Sequence, residues 1–381
     1  MEAEIARQII DRVLHLLANK TTDMVASESS LPVERYTDPA QLEREQRILF
    51  RRHPLILGPA CALAAPGDFL THDASGTPFL VHRAEDGQLH GFLNVCRHRG
   101  TRLVSEPCGH NRKGFTCPYH NWSYRSDGAL LHTPHAEGFP QLAQEQVRLA
   151  PVAVAEQAGL IWARAEPGVE IASYLGPIES ELAALGLREH VHYGSGSFVR
   201  ELNWKIAIEV FLEGYHLKFA HRDSVYPIFF DNVSISESRA PHYRGIFPKR
   251  TIVTLAERDR SEWKLREHAN ILYHIFPNTL LLVQPDHASL ITLFPQSPSR
   301  THFLHTTLIP REPTTDKERR HWDKNIAILE GAIAEDLTMG ESIQAGIPSG
   351  ANQRFRLGRF EHGLRYFYDA TETALAAFAD G

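Results

Sequence analysis

Cysteine and methionine are scarce in this chain, 4 and 3 among 381 residues. Four thiols cannot build the disulfide framework of a small secreted scaffold. Positive charge is not in excess either: 40 Lys and Arg stand against 46 Asp and Glu, a formal net charge of −6. With no basic footprint, nucleic acid is not an expected partner. Long apolar runs are missing; the most apolar early stretch, 55–65, is too short to span a bilayer and contains Pro59. The acidic opening Met1-Glu2-Ala3-Glu4 has no apolar segment of a secretory signal, so a cytoplasmic, non-membrane protein is expected. Neither G-x-G-x-x-G nor a C-x4-C-x2-C cluster occurs, which excludes binding of NAD(P)H or flavin through those motifs. What is plentiful is histidine, at 22 residues. Many imidazoles beside a few thiols direct attention to metal chemistry.

Periodicity divides the chain into textures. Ile5, Ile9, Ile10, Val13, Leu16 and Leu17 fall at helical spacing over 3–18, and a second short helix is expected over 41–50. From about Pro54 to Pro167 short strands alternate with turn signals. Segments 78–83 and 89–95 flank Asp86-Gly87, and 122–125 and 129–132 flank Asp127-Gly128, both hairpin signals. Beyond Pro167-Gly168 the pattern predicts a helix over 204–215, strands at 252–255, 280–283, 289–294 and 303–309, and a long helix over 316–343. The expectation is α+β: a helical arm (1–45) packing on the last domain, an all-β domain (46–166), and a domain with an antiparallel sheet (167–381).

The all-β segment holds Cys96-Arg97-His98 and, after 18 intervening residues, Cys117-Pro118-Tyr119-His120. One thiolate and one imidazole from each of two loops suit a [2Fe–2S] cluster in which the His pair binds one iron and the Cys pair the other. Neutral imidazoles in place of anionic thiolates raise its potential. A structural zinc site is the competing use of the same four residues, although zinc fingers usually pair Cys with Cys and His with His. Cys108-Gly109-His110 repeats the C-x-H pattern but lies only a short span before Cys117. Cys108 and Cys61 are therefore read as ordinary small hydrophobes.

The later domain contains a second constellation. Asn203-Trp204-Lys205 opens a segment with Glu213, Tyr215, His216 and His221. Glu213 and His216 are helix-surface neighbours at i,i+3, whereas His216 and His221, at i,i+5, diverge on an unbroken helix. A break or π-bulge near 217–219 is required if both bind one ion. Two imidazoles and one carboxylate on one face leave open positions on Fe(II) for O₂. The long helix nominates the carboxylate. Trp322, Ile326, Leu329, Ile333, Asp336, Gly340 and Ile343 form its inner stripe, and Asp336 occupies a Leu or Ile position. A metal explains that buried charge, and so does a salt bridge to a buried Arg. Glu335 is one helical step off the stripe.

NVCRHRG (94–100) and CPYHNWSY (117–124) resemble the Rieske loops of the Rieske non-haem iron oxygenases, specifically the terminal-oxygenase large (alpha) subunit of the aromatic-ring-hydroxylating dioxygenase family. NWKIAIEVFLEGYHLKFAH (203–221) and EDLTMGESIQAGI (335–347) resemble that family's mononuclear-iron motif and late ligand helix. The chain departs in two places. Asn121 stands where a Gly is usual, and Glu213 stands where most members have an Asp bridging the two metal sites. The resemblance implies an all-β Rieske [2Fe–2S] domain plus a helix-grip catalytic domain. It implies Cys96, His98, Cys117 and His120 on the cluster, and His216, His221 and Asp336 on a mononuclear Fe(II) that reacts with O₂. Glu213, with Asn203, is assigned to the catalytic machinery, and His120 of one subunit would hydrogen-bond Glu213 of its neighbour. A homotrimer is implied, or an assembly with a small β subunit. Electrons would come from NAD(P)H through a separate reductase, perhaps with a ferredoxin. The expected reaction is hydroxylation of an apolar, aromatic substrate, with oxidative N- or O-demethylation, including of quaternary amines, as the alternative. An electron carrier without catalysis is the non-enzyme alternative. Phe211, Leu212, Ile228, Phe229, Phe230 and Phe294 are the candidate pocket residues.

Overall fold

A computed structural model of the chain describes residues 3–110, 113–142 and 146–378. Met1 and Glu2, on which part of the reading of the N-terminus falls, lie outside them. The chain divides into two units. One is Phe50–Tyr174 with Gly186–Glu189; the other comprises the chain before Phe50, Leu175–Leu185, and the chain from His190 onward. Among the described residues no helix is long and apolar enough to cross a membrane.

The first unit is all β. Both Asp-Gly turns form hairpins: Phe79–Arg83 pairs antiparallel with Leu89–Leu93, and Ser123–Arg125 with Leu130–His132. Gly87 and Gly128 take φ of 81° and 85°, which a residue with a Cβ adopts only under strain. A four-stranded and two three-stranded antiparallel sheets enclose a core of Phe69, Leu80, Phe92, Phe115, Trp122 and Tyr124. Cys96 and Cys117 belong to the same buried cluster.

The second unit is built on a seven-stranded antiparallel sheet. Six strands run consecutively from Ile235–Arg239 to Arg300–Ile309, and Val191–Arg200 returns to the far edge beside Arg300–Ile309. Strands predicted at 280–283, 289–294 and 303–309 are present and longer. The one predicted at 252–255 is instead part of a 3-10 helix, Arg250–Glu257. Ile252 and Leu255 are both fully buried, and residues three apart share one side of a helix with three residues per turn. The β-branched run Thr251-Ile252-Val253-Thr254 gave the misleading strand signal.

The long helix spans Asp316–Gly346 behind a capping box of Thr315 and Glu318. It follows the edge strand: Tyr193 Oη donates to Asp323 (2.9 Å), and Arg200 pairs with Glu341 (2.7 Å). At Gly340 a Cβ would stand 2.5 Å from Leu202 Cδ1, so glycine lets this helix close onto the segment leading into Trp204–Glu209. Asp336, one turn earlier, is thereby carried inward.

Candidate metal centres

Each cluster loop is a tight turn. Cys96 N–H donates to Thr101 O (2.8 Å) and Gly100 N–H returns to Cys96 O (3.0 Å); Cys117 N–H donates to Trp122 O (2.8 Å) and Asn121 N–H to Cys117 O (3.1 Å). Asn121 has φ 59°, the left-handed region where Asn is the best-tolerated substitute for Gly. The two thiols are buried, while His98 and His120 are half-exposed with ring centroids 4.6 Å apart. Trp122 stacks on His98 at 4.8 Å, and Phe139 meets its edge. Burial pushes the Cys96 thiol up from its ordinary range, against a contact to Tyr124 Oη at 3.3 Å.

The donor set decides between cluster and zinc. Four ligands on one tetrahedral zinc would lie within about 4 Å of one another. These four do not: among the described residues the only His, Cys, Asp or Glu group converging within 4.8 Å is elsewhere. Wider spacing suits two irons. His98 Nδ1 is buried without a hydrogen-bond partner, as a ring nitrogen reserved for a metal would be. Cys108 is exposed in a two-residue edge strand and Cys61 is half-buried, so neither is a fully buried hydrophobe.

The converging group is His216, His221 and Asp336, with one ligand atom from each within 4.8 Å of the others. The helix expected over 204–215 stops at Glu209, and 210–216 is a chain of turns. A single helical turn, Leu217–Ala220, follows, with His216 before it and His221 after it at φ −110°, ψ 24°. The break therefore lies ahead of 217, not at 217–219. Two histidines flanking one turn have freer backbones than two within it, and this is how i,i+5 residues come to face the same point.

Asp336 Oδ1 lies 2.8 Å from His221 Nε2 and 3.3 Å from His216 Nε2. On the other side of each ring, Nδ1 meets a second carboxylate: Glu213 for His216, and Glu335 at 2.6 Å for His221. Ser224 Oγ donates to the same Glu335 oxygen (2.6 Å). Both imidazoles are thus oriented with Nε2 toward Asp336, so the three side chains would be able to hold a cation between them. Burial opposes charge on His216, yet Asp336 and Glu213 push it up to about 10. Burial likewise opposes ionisation of Asp336, and the two imidazoles hold it below the usual carboxylate range. No arginine pairs with Asp336, so the salt-bridge alternative has no partner among the described residues. Glu335 was passed over in the sequence because it is off the apolar stripe; its signal was adjacency to Asp336.

Asn203 does not reach this centre. It is the N-cap of Trp204–Glu209, accepting from Lys205 N–H (2.9 Å) and donating to Tyr36 O and Pro298 O. Its amide is consumed in holding the helix start. Beneath that helix, Lys205 and Trp204 bind Glu45, and Glu209 binds Arg35 and Tyr36, all buried.

A cavity of about 330 Å³ opens onto the triad. Phe211, Ile228 and Phe229 line it as expected; Leu212, Phe230 and Phe294 do not. Leu212 and Phe294 are fully buried core residues, and the ring of Phe230 lies against the Arg250 guanidinium. Phe247, Leu272 and Leu282, which no motif marked, join the apolar wall together with Leu329 and Ile333 of the helix stripe.

Comparison with known proteins follows the same division. Residues 184–377 match the family model of the ring hydroxylating alpha subunit (catalytic domain), and 53–147 that of the Rieske [2Fe-2S] domain. The glycine betaine monooxygenase oxygenase subunit of Chromohalobacter salexigens is 31% identical over 248 residues, 64% of this chain and only 55% of that protein, so the match spans about half the relative's length. The carnitine monooxygenase oxygenase subunit of Escherichia coli is 26% identical over 93% of this chain and 98% of its own. A solved naphthalene 1,2-dioxygenase from Rhodococcus sp. superposes with a TM-score of 0.77 at 19% identity, covering 98% of each chain.

Proposed function

We propose, from the premise that this chain belongs to the ring hydroxylating alpha subunit family of Rieske oxygenases, that it oxidatively removes an N-methyl group from a quaternary amine. The family's cofactors are a Rieske [2Fe–2S] cluster and a mononuclear iron with O₂ as co-substrate. Cys96, His98, Cys117 and His120 would hold the first, and His216, His221 and Asp336 the second. When bound, the two groups supply electron relay and O₂ activation. The chain's own residues fix ring tautomers through Glu213 and Glu335, exclude water with the apolar wall, and position the methyl group.

One observation carries the amine reading over the aromatic one. The cavity is lined by three phenyl rings, Phe211, Phe229 and Phe247. Phenyl faces attract a desolvated cation, whereas the nearby carboxylates of Glu213 and Asp336 are already engaged with the two imidazoles of the triad. Two of the relatives are named as monooxygenases of glycine betaine and carnitine, which points the same way. Hydroxylation of an aromatic ring is the second reading, favoured by the predominantly apolar wall.

The balance needs O₂, two electrons and two protons per methyl group, released as formaldehyde with water as co-product. A separate reductase, with or without a ferredoxin, would deliver those electrons from NAD(P)H to a cytoplasmic homotrimer, His120 of one subunit reaching Glu213 of the next. Formaldehyde released one-for-one with NAD(P)H consumed, from a trimethylammonium substrate, is the expected result. Diol formation from an arene, with no formaldehyde from any quaternary amine, would replace this reading with the second.

A further inference from the structure

The cavity has a second end with a different chemistry. Asn325 and Asp336 both line it from the long helix, eleven residues apart, so it extends about 16 Å along that helix from the triad. At the Asn325 end, His321 Nε2 is 2.8 Å from Asp286, whose other oxygen lies 2.7 Å from His287 Nδ1. Sheet register brings further polar groups to this level. Phe247 pairs with Asn270, and Gln284 N–H donates to His287 O (3.0 Å) across the adjoining turn. Leu272 and Leu282 line the cavity as a cross-strand pair, two residues from Asn270 on its strand and from Gln284 just past the end of the other. The wall therefore changes from apolar to polar along three neighbouring strands at once, with Lys249 following Phe247.

Three observations show that this end lacks a partner. Lys249 lines the cavity, is half-buried and makes no ion pair within 4 Å among the described residues. Arg266, behind the turn, spends its guanidinium on the backbone carbonyls of Gln284 (2.7 Å) and His287 (3.2 Å) and meets no carboxylate at that range either. Asp286 is the one carboxylate felt by both cations, and it is already held by two imidazoles. Finally, Asn270 Oδ1 is buried without a hydrogen-bond partner. An amide turned over presents its N–H₂ at the same point, a donor aimed at an absent acceptor. Two half-buried cations, one engaged carboxylate and an unpaired amide leave a net demand for a negatively charged acceptor. Burial lowers the Lys249 ammonium below the ordinary lysine range, and an anion beside it would offset that cost.

We infer that Lys249, with Asn270 beside it, is a carboxylate-binding subsite, so that the substrate is an elongated acid whose anionic group is held there while its oxidised methyl group lies at the triad. The inference rests on the reading above for which end of the molecule reacts. It restricts the substrate class: a compact zwitterion cannot occupy both ends together, and an uncharged hydrocarbon leaves Lys249 and Asn270 unmatched.

The test is calorimetric binding to the iron-loaded oxygenase without its reductase, so that no turnover occurs. The probes are ω-trimethylammonio alkanoates of increasing chain length, each compared with its primary amide. Native protein should bind the acid at least about tenfold tighter than the amide, with tightest binding at an intermediate chain length. Lys249→Met should bring the ratio close to one, and Lys249→Arg should restore most of it. Equal binding of acid and amide by native protein overturns the subsite, whether or not formaldehyde is formed in a separate assay. So does an acid preference that persists in Lys249→Met. An acid preference abolished by Lys249→Met supports the subsite even where no formaldehyde is released; in that case only the demethylation reading falls.

Discussion

The two candidate metal centres use imidazole in opposite ways. In the all-β unit, His98 and His120 stand half-exposed over two buried thiols, neither ring meets a carboxylate among the described residues, and His98 Nδ1 is left without a partner. In the catalytic unit each ring is gripped on Nδ1 by a carboxylate and turned with Nε2 toward a third. The difference follows charge. Two thiolates already give an iron–sulfur cluster its negative charge, and aromatic packing from Trp122 and Phe139 is enough to orient a ring beside them. A lone divalent ion with open positions has only three protein donors, so the tautomer and direction of each must be fixed from behind.

The largest effects should come from removing one centre at a time. Native protein should contain about three irons and two sulfides per chain. Cys117→Ala should abolish the sulfide and the visible spectrum while one iron remains. Asp336→Ala should retain the spectrum and lose that iron. Either change should reduce turnover on the order of a thousandfold or more. A single substitution that emptied both sites would break the comparison.

The orienting carboxylates offer a finer separation. Glu335→Gln should weaken mononuclear iron binding by about 10–100-fold, since it only orients His221. Glu213→Gln should leave both metals bound and still remove most activity, because by resemblance Glu213 also links the two centres between subunits. Normal turnover by fully loaded Glu213→Gln protein would end its assignment as the link.

The same contrast explains what the sequence made legible. The cluster ligands could be named because a loop keeps its ligands local: two residues within three or four positions, one pair after strand Leu89–Leu93 and the other in the connection between Gly114–Thr116 and Ser123–Arg125. The triad was harder, since Asp336 follows His221 by more than a hundred residues and could be nominated only as a charge in an apolar stripe. Glu335 was set aside by that reasoning as a ligand, and its orienting role went unread because an orienting residue need not be on the buried face. Asn203 misled for a related reason: at the head of the motif it has the same local signature whether it contacts substrate or caps a helix. The anchors Arg35 and Glu45 had no signal, because a buried ion pair is a property of two distant segments and not of either alone. The early strands of the large sheet, such as Val191–Arg200 with its Gly and Ser, lacked the alternation that marks a half-buried strand.

His274 adds a third treatment of imidazole, with neither metal nor carboxylate. It is fully buried, Nε2–H donates to Pro277 O at 3.0 Å, and burial pushes it down to about 3 from an ordinary 6.5. Between those values the unfolded chain binds a proton that the folded chain does not, so stability falls as pH drops from 6.5 toward 3. The contribution is on the order of a few kcal/mol. Thermal midpoints recorded across this range should decline less steeply in His274→Gln than in the native chain. Parallel slopes would place the acid sensitivity in other groups.

The smallest effect should be at Asn121, and it tests whether the cluster loops need side-chain chemistry beyond their four ligands. Asn121 holds φ 59° while its N–H donates to Cys117 O, so its backbone shapes the turn between Cys117 and Trp122. Among the described residues its amide side chain makes no hydrogen bond, and the residue is exposed. Replacing Asn with Gly relieves the left-handed strain and adds chain entropy to the unfolded state, two terms that nearly cancel within about 1 kcal/mol. Asn121→Val, β-branched at positive φ, should destabilise the turn by about 1–2 kcal/mol or more. The visible spectrum of Asn121→Gly should match the native one, whereas Asn121→Val should lose cluster on mild heating. Should Asn121→Gly bleach as readily as Asn121→Val, the amide itself supports the cluster. The loop centre would then resemble the triad in depending on a polar group behind its ligands.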